Sequence, residues 1–198
     1  MKNGNRSADR RSVPVVVIGL DSVTGLHAAR IFSARGVSVV GIAADASHPC
    51  CRTNACERVV IADTGGPKLV ETLLRIGSEL GGRAVLVPCT DLSVLIVSRH
   101  RNELGHFYCF SLTESDVVEM LVDKASFYAF ARENGYPIPQ TFFLRSEEEA
   151  VEAARLLSFP AILKPALKTP EWQRRSSAKA YRAVDAAELV NLYRRLSG

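Results

Sequence analysis

The sequence predicts an α/β protein in which an open, mostly parallel sheet is followed by a smaller α+β unit. Three observations carry this expectation. Val13 to Leu20 is an almost continuous apolar run, as suits a strand buried on both faces. Runs of that kind then alternate with segments of helical period over about a hundred residues. From Thr113 onward the alternation gives way to a different order of elements.

The first strand ends at Gly19, and a helix with Gly25, Ala28, Ala29 and Phe32 on one face stops at Gly36. Val37 to Ile42 is the next strand, which completes a βαβ unit of the length a parallel crossover requires. Arg58 to Ala62 is a short strand. Leu69, Leu73, Ile76 and Leu80 mark a helix that stops at Gly81–Gly82. Ala84 to Val87 is a strand closed by Pro88, and Asp91 is placed as the cap of a helix carrying Leu92, Leu95 and Ile96. Phe107 to Phe110 is the last strand of this Rossmann-like set.

In the second part, Asp123 caps a helix through Phe127, Phe130 and Ala131 that ends at Asn134–Gly135. Pro137 and Pro139 bracket an extended linker, since the residue before a proline avoids the helical region. A strand is expected over Thr141 to Leu144, then a helix opened by the capping box of Ser146 and Glu149. Strands at Pro160 to Lys164 and Lys179 to Val184 precede a final helix. That helix opens at Asp185 and buries Leu189, Leu192, Tyr193 and Leu196. The order is β-α-β-β-α. The expected organisation is a disordered leader over residues 1–12, a sheet domain over 13–112 and a second unit over 113–198.

Composition narrows the function classes. With 198 residues, 47% hydrophobic and 23% charged, the chain can bury a core, so wholesale disorder is excluded. No apolar run reaches the roughly 18 residues of a membrane span, and the polar start lacks a secretory stretch. A cytoplasmic protein is expected. The net charge of +4 is a weak lean, with no aromatics interleaved among the arginines, so nucleic acid is a disfavoured partner. Five cysteines without a secretion signal argue against a disulfide framework. Cys50, Cys51 and Cys56 cluster near His48, but adjacent ligands suit a zinc site poorly, and loop thiols are expected.

Several residues stand out as candidates for binding. Gly19, Asp21, Thr24 and Gly25 occupy the turn between the first strand and helix, where backbone amides face any anion placed there. The spacing is not G-x-G-x-x-G, since the second glycine comes six residues after the first. A nicotinamide dinucleotide is therefore disfavoured, although Asp45 sits where a ribose-binding acid would. Thr90 and Asp91 follow another strand at its carboxyl end, the edge at which open α/β sheets bind ligands. Lys124 is the first residue after Asp123, where a cation opposes the helix dipole unless an anion joins it. Lys164 ends an apolar strand and must reach water or a charged partner. With 19 Arg and 6 Lys in the chain, lysine at both positions suits a compact point charge.

Their order matters more than each alone. Asp123-Lys124-x-x-Phe127-Tyr128, Gly135-x-Pro137-x-Pro139-x-Thr141 and Phe159-Pro160-x-Ile162-x-Lys164-Pro165 together resemble the opening of an ATP-grasp domain. The preceding sheet resembles the preATP-grasp domain. Gly19 to Leu26, Pro88 to Asp91 and Ser98-Arg-His-Arg-x-Glu-Leu104 are similar to a branch of predicted carboxylate–amine ligases. The resemblance spans residues 14 to 196.

The resemblance implies ATP and Mg2+ as cofactors, a carboxylate activated as an acyl phosphate, and attack by an amine. It implies small-molecule acid and amine partners and admits a homodimer. Carried over by motif, Lys124 and Lys164 contact the ATP phosphates. The family often places a glycine-rich flap after the second lysine. Ala166 to Ser177 holds no glycine, and Trp172 with Lys179-Ala180 fits a variant without one. The adenine hinge, the metal carboxylates and the catalytic arginine of the family would fall beyond Gly198. The expectation is thus the front part of such a ligase, inactive by itself. A non-catalytic binding or regulatory module is the alternative, and a nicotinamide oxidoreductase a weaker one.

Overall fold

The computed structural model describes residues 13–165, 176 and 178–197. The expected leader and most of the Ala166 to Ser177 segment, with Trp172, lie outside the described residues. The chain divides into two compact units after Glu119.

In the first unit, β1 (Val15–Ile18), β2 (Val39–Ala43), β3 (Arg58–Ile61), β4 (Ala84–Pro88) and β5 (Tyr108–Cys109) form one sheet in the order β3-β2-β1-β4-β5. All four pairings are parallel, as expected. Helices α1 (Val23–Ser33), α2 (Lys68–Leu80), α3 (Asp91–Arg99) and the short α4 (Arg101–Leu104) lie between the strands in sequence.

Alternation along each strand explains the unbroken apolar runs, because successive side chains serve opposite faces. Val16, Ile18, Val40 and Ile42 join Leu69, Leu73 and Ile76 of α2 in one core. Val15, Val17 and Val39 join Ala29 of α1 in the other. β1 and β2 therefore have no polar side to show.

Tyr108 is the largest fully buried side chain of this unit, and its hydroxyl donates to the Leu73 carbonyl at 2.7 Å. Burial pushes its ionisation well above the ordinary tyrosine value. Tyr108→Phe removes one buried hydrogen bond, while the carbonyl keeps its place in the α2 ladder. A loss of about 1 kcal/mol is expected, read as a lower urea midpoint at unchanged slope. An unchanged midpoint would show that the bond contributes nothing net.

Three expectations are corrected. Thr90, not Asp91, caps α3: its backbone is extended, and its hydroxyl accepts from the Ser93 amide at 3.2 Å. The Ser93 hydroxyl in turn accepts from the Thr90 amide at 3.1 Å, which closes a capping box with serine in place of the usual acid. Asp91 becomes the first helical residue, where its charge still favours the helix dipole. Next, Thr141 to Leu144 pairs with no strand among the described residues. The Thr141 hydroxyl turns back to the Pro139 carbonyl at 2.8 Å, and the two prolines upstream offer no ladder donor. Finally, α5 (Ser115–Val122), absent from the sequence reading, comes before the Lys124 helix. Two helices rather than one therefore precede the strands of the second part, which number two among the described residues.

In the second unit these are α6 (Lys124–Glu133), α7 (Glu147–Leu156), β6 (Ala161–Leu163), β7 (Tyr181–Ala183) and α8 (Ala186–Ser197). β6 and β7 pair antiparallel, with Ile162 opposite Arg182. Ala161, Leu163, Tyr181 and Ala183 face a core with Ala154 of α7 and Leu189 and Leu192 of α8. Ile162 and Arg182, one residue out of phase, are exposed. No helix among the described residues is long and apolar enough to cross a membrane.

Candidate functional site

Two places hold the residues singled out from sequence, one in each unit. In the first unit the sheet order makes β1 and β4 neighbours, while the chain leaves β1 toward β2 and β4 toward β5. Their carboxyl ends thus flank the crevice where open α/β sheets bind ligands. Gly19 has φ +84°, and a Cβ there would lie 2.9 Å from Thr90 Cγ2, so the two loops touch.

The Gly19–Gly25 turn is largely occupied with its own structure. Ser22 Oγ donates to the Gly19 carbonyl at 2.7 Å and accepts from the Gly25 amide at 3.0 Å, capping α1. The Gly19 and Leu20 amides both donate to the Ile42 carbonyl at 2.9 Å. Asp21 Oδ2 accepts from the amides of Ala44 and Asp45 at 2.8 and 3.1 Å, tying this turn to the end of β2. Gly25 packs directly on the Gly19 backbone. Of the six residues expected to bind substrate here, Thr24 and Asp91 stand exposed at the first turns of α1 and α3. Asp45 is held below the usual carboxylate range by the Ser47 hydroxyl and amide.

The cysteines lie close to this edge. Cys51 Sγ donates to the Asp45 carbonyl at 3.3 Å, and Cys51, Cys56 and Cys89 pack against the α1 side of the sheet. Burial raises all three thiols, which disfavours the thiolate that a metal needs. His48 Nδ1 accepts from the Cys50 amide at 3.3 Å, committing that ring nitrogen.

The second unit holds a cleft of about 760 Å³ between α6, the 141–145 segment, β6 and the end of α8. Lys124 and Lys164, forty residues apart in sequence, both line it. Asp123 positions the first. Its carboxylate accepts from the Ala125 and Ser126 amides at 3.3 and 3.1 Å and from the Ser126 hydroxyl at 2.6 Å. Led by that hydroxyl, these bonds hold Asp123 below the usual carboxylate range, so the cap stays charged at neutral pH.

Lys164 follows β6 and rests on Tyr128 of α6. Its Nζ lies 3.5 Å from the Tyr128 hydroxyl and 5.3 Å from the ring centroid. Phe127 and Phe143 stand edge-on to Tyr128, with centroids 5.7 and 6.3 Å away, and give it an aromatic brace.

Sequence reasoning missed Arg132 and Arg145 of this cleft, and it named Tyr128 only within the Asp123-Lys124-x-x-Phe127-Tyr128 motif, without a role. Lys124, Tyr128 and Arg132 recur every four positions, which puts them on one face of α6. That period was the available signal. Arg145 comes just before the Ser146 cap of α7, and its amide donates to Glu149 at 2.7 Å. None of the described residues that line the cleft is acidic.

In sequence or in fold the chain is similar to the following proteins. No family model matches the chain. It is 30% identical over 107 residues to D-aspartate ligase of Enterococcus faecium, covering 50% of this chain and 25% of that protein. Among solved structures it is similar to the biotin carboxylase domain of the Hydrogenobacter thermophilus 2-oxoglutarate carboxylase, a dimer in complex with MgADP and bicarbonate. There the TM-score is 0.59 at 18% identity, over 92% of this chain and 40% of that one. It is likewise similar to L-amino acid ligase from Bacillus licheniformis, with TM-score 0.59 at 14% identity over 96% and 43% of the two chains. The chain thus spans about a quarter of the curated ligase and about two fifths of the solved structures.

Proposed function

We propose that this chain supplies the phosphate-binding front of an ATP-dependent carboxylate–amine ligase. The observation that carries the reading is the convergence of Lys124 and Lys164 on one cleft whose described lining has no carboxylate. A lysine at a helix N-terminus and a second just past a strand suit an anion better than either does alone.

The described residues fit the phosphates of a nucleotide. They do not make up a magnesium site, since no three His, Cys, Asp or Glu side chains group together among them. The two lysines would bind and orient the phosphates and offset the charge that builds on the transferring group. In the reaction, a carboxylate oxygen attacks the γ-phosphorus and the bond to the β-phosphate oxygen breaks, releasing ADP. An amine nitrogen then attacks the acyl carbon, the acyl–oxygen bond breaks, and phosphate and a proton leave. Thr24, Thr90 and Asp91, at the carboxyl edge of the sheet, are proposed to face the acid or amine, while Gly19, Asp21 and Gly25 shape that turn.

Calorimetric titration of the chain with ATP and, separately, with NADH tests the class of ligand. Saturable heat with ATP and none with NADH is expected. Binding of NADH alone would replace this reading with the oxidoreductase one. No binding of either would leave the cleft without a nucleotide and overturn the proposal.

A further inference from the structure

Two cations would suffice for one phosphate group, yet four of the described residues that line this cleft are cationic. Lys124 and Arg132 stand two helical turns apart on the same face of α6, roughly 12 Å along its axis. Lys164 comes just after β6 and Arg145 just before α7, so three separate parts of the chain contribute. The side chains of Arg132 and Arg145 are given no acidic partner by the described residues, although exposed acids pair with Arg194, Arg99 and Arg75 elsewhere in the chain. Four like charges around one concavity repel each other, and an anion within it relieves that repulsion.

We propose that Arg132 and Arg145 are further anion-binding residues of this cleft, which therefore takes a chain of linked phosphates along its length. This rests on the ATP reading and deepens it from a pair of lysines to a track. The track is wider than one phosphate group. Tyr128, between Lys124 and Arg132 on α6 and beneath Lys164, gives that wall an aromatic step between its charges. Guanidinium groups add planar, two-pronged hydrogen bonding to phosphate oxygens, which ammonium groups cannot supply.

The test uses inorganic tripolyphosphate and inorganic orthophosphate as probes, titrated calorimetrically into the chain and into Arg132→Ala, Arg145→Ala, Lys164→Ala and Lys68→Ala. Lys68 is exposed at the start of α2 in the other unit and serves as the control. Circular dichroism confirms that each variant is folded. Tripolyphosphate is expected to bind more tightly than orthophosphate. Each arginine change should weaken the tripolyphosphate by about 2- to 5-fold, as suits exposed charge contacts. Lys68→Ala should change nothing, and added salt should erode the differences. Loss of affinity in Lys164→Ala with none in either arginine variant would overturn the proposal and leave the ATP reading intact. Arginine-dependent binding of tripolyphosphate, with ATP bound no better than the bare chain of phosphates, would uphold the track and overturn the nucleotide.

Discussion

Gly25→Ala is expected to cost the first unit at least about 3 kcal/mol, a large part of the 5–15 kcal/mol that holds a domain together. The Cβ it adds would lie 2.1 Å from the Gly19 carbonyl oxygen, 2.7 Å from its carbon and 2.9 Å from Leu20 Cα. Every one of these is backbone, so no side chain can swing away. The backbone cannot yield either. The Gly19 and Leu20 amides are both fixed on the Ile42 carbonyl, and Asp21 holds the amides beyond β2. Helix α1 would have to lift off β1, uncovering Ala29 and the apolar side of Phe32. Against this, alanine returns only about 1 kcal/mol of helix propensity. Gly82→Ala is the control, because its added Cβ meets nothing within 4 Å. It should be neutral or stabilise by up to about 1 kcal/mol. Urea midpoints for the two variants decide the matter, and a Gly25→Ala midpoint equal to that of the parent chain would refute the packing argument.

The same contact shows what a sequence reading can reach. The sheet was legible because Val15 to Ile18, Val39 to Ala43 and Ala84 to Val87 are apolar at odd and even positions alike, and only two covered faces allow that. The glycine spacing that argued against a dinucleotide also has a local cause: Gly25 serves helix–strand contact and Gly19 a left-handed turn. Aspartate is a strong capping residue, so Asp91 drew attention away from Thr90, although both are adjacent and the box with Ser93 is visible once serine is admitted at its third position. The expected strand at Thr141 to Leu144 has the β-branched and aromatic residues of a strand but no neighbouring strand among the described residues, and pairing is a tertiary fact that composition does not contain. Lys124 and Lys164 were found through motif order. Arg132 and Arg145 were not, because exposed arginines are common and only the fold shows which of them share a concavity. Arg101 was noticed as part of a motif, and its work is structural: it bonds the Ser98 carbonyl and hydroxyl, the Thr113 carbonyl and Glu114, fixing the chain between α3 and α5.

Removing Lys164 or Lys124 should weaken ATP binding by roughly 10- to 100-fold each, the range for loss of a hydrogen bond to a charged group. The two should differ in what they do to the protein without ligand. Lys164 is exposed, and its only described contacts are the Tyr128 hydroxyl and ring, so Lys164→Ala should leave the urea midpoint almost unchanged. Lys124 opposes the dipole of α6, at a cost of about 0.3–1 kcal/mol that its neighbour Asp123 offsets in part. Lys124→Ala should therefore be neutral or slightly stabilising while it loses affinity. That opposition of stability and binding marks a residue kept for its ligand, because a merely structural lysine would move both in the same direction. In the double variant the two losses should fall short of additive, since an anion that has lost one contact shifts within the cleft and no longer draws full benefit from the other. Calorimetric titration with ATP on the parent, the two single variants and the double variant gives the full cycle. Parent-like affinity in Lys164→Ala would make that lysine a surface charge, and the cleft would lose the residue on which its nucleotide assignment most depends.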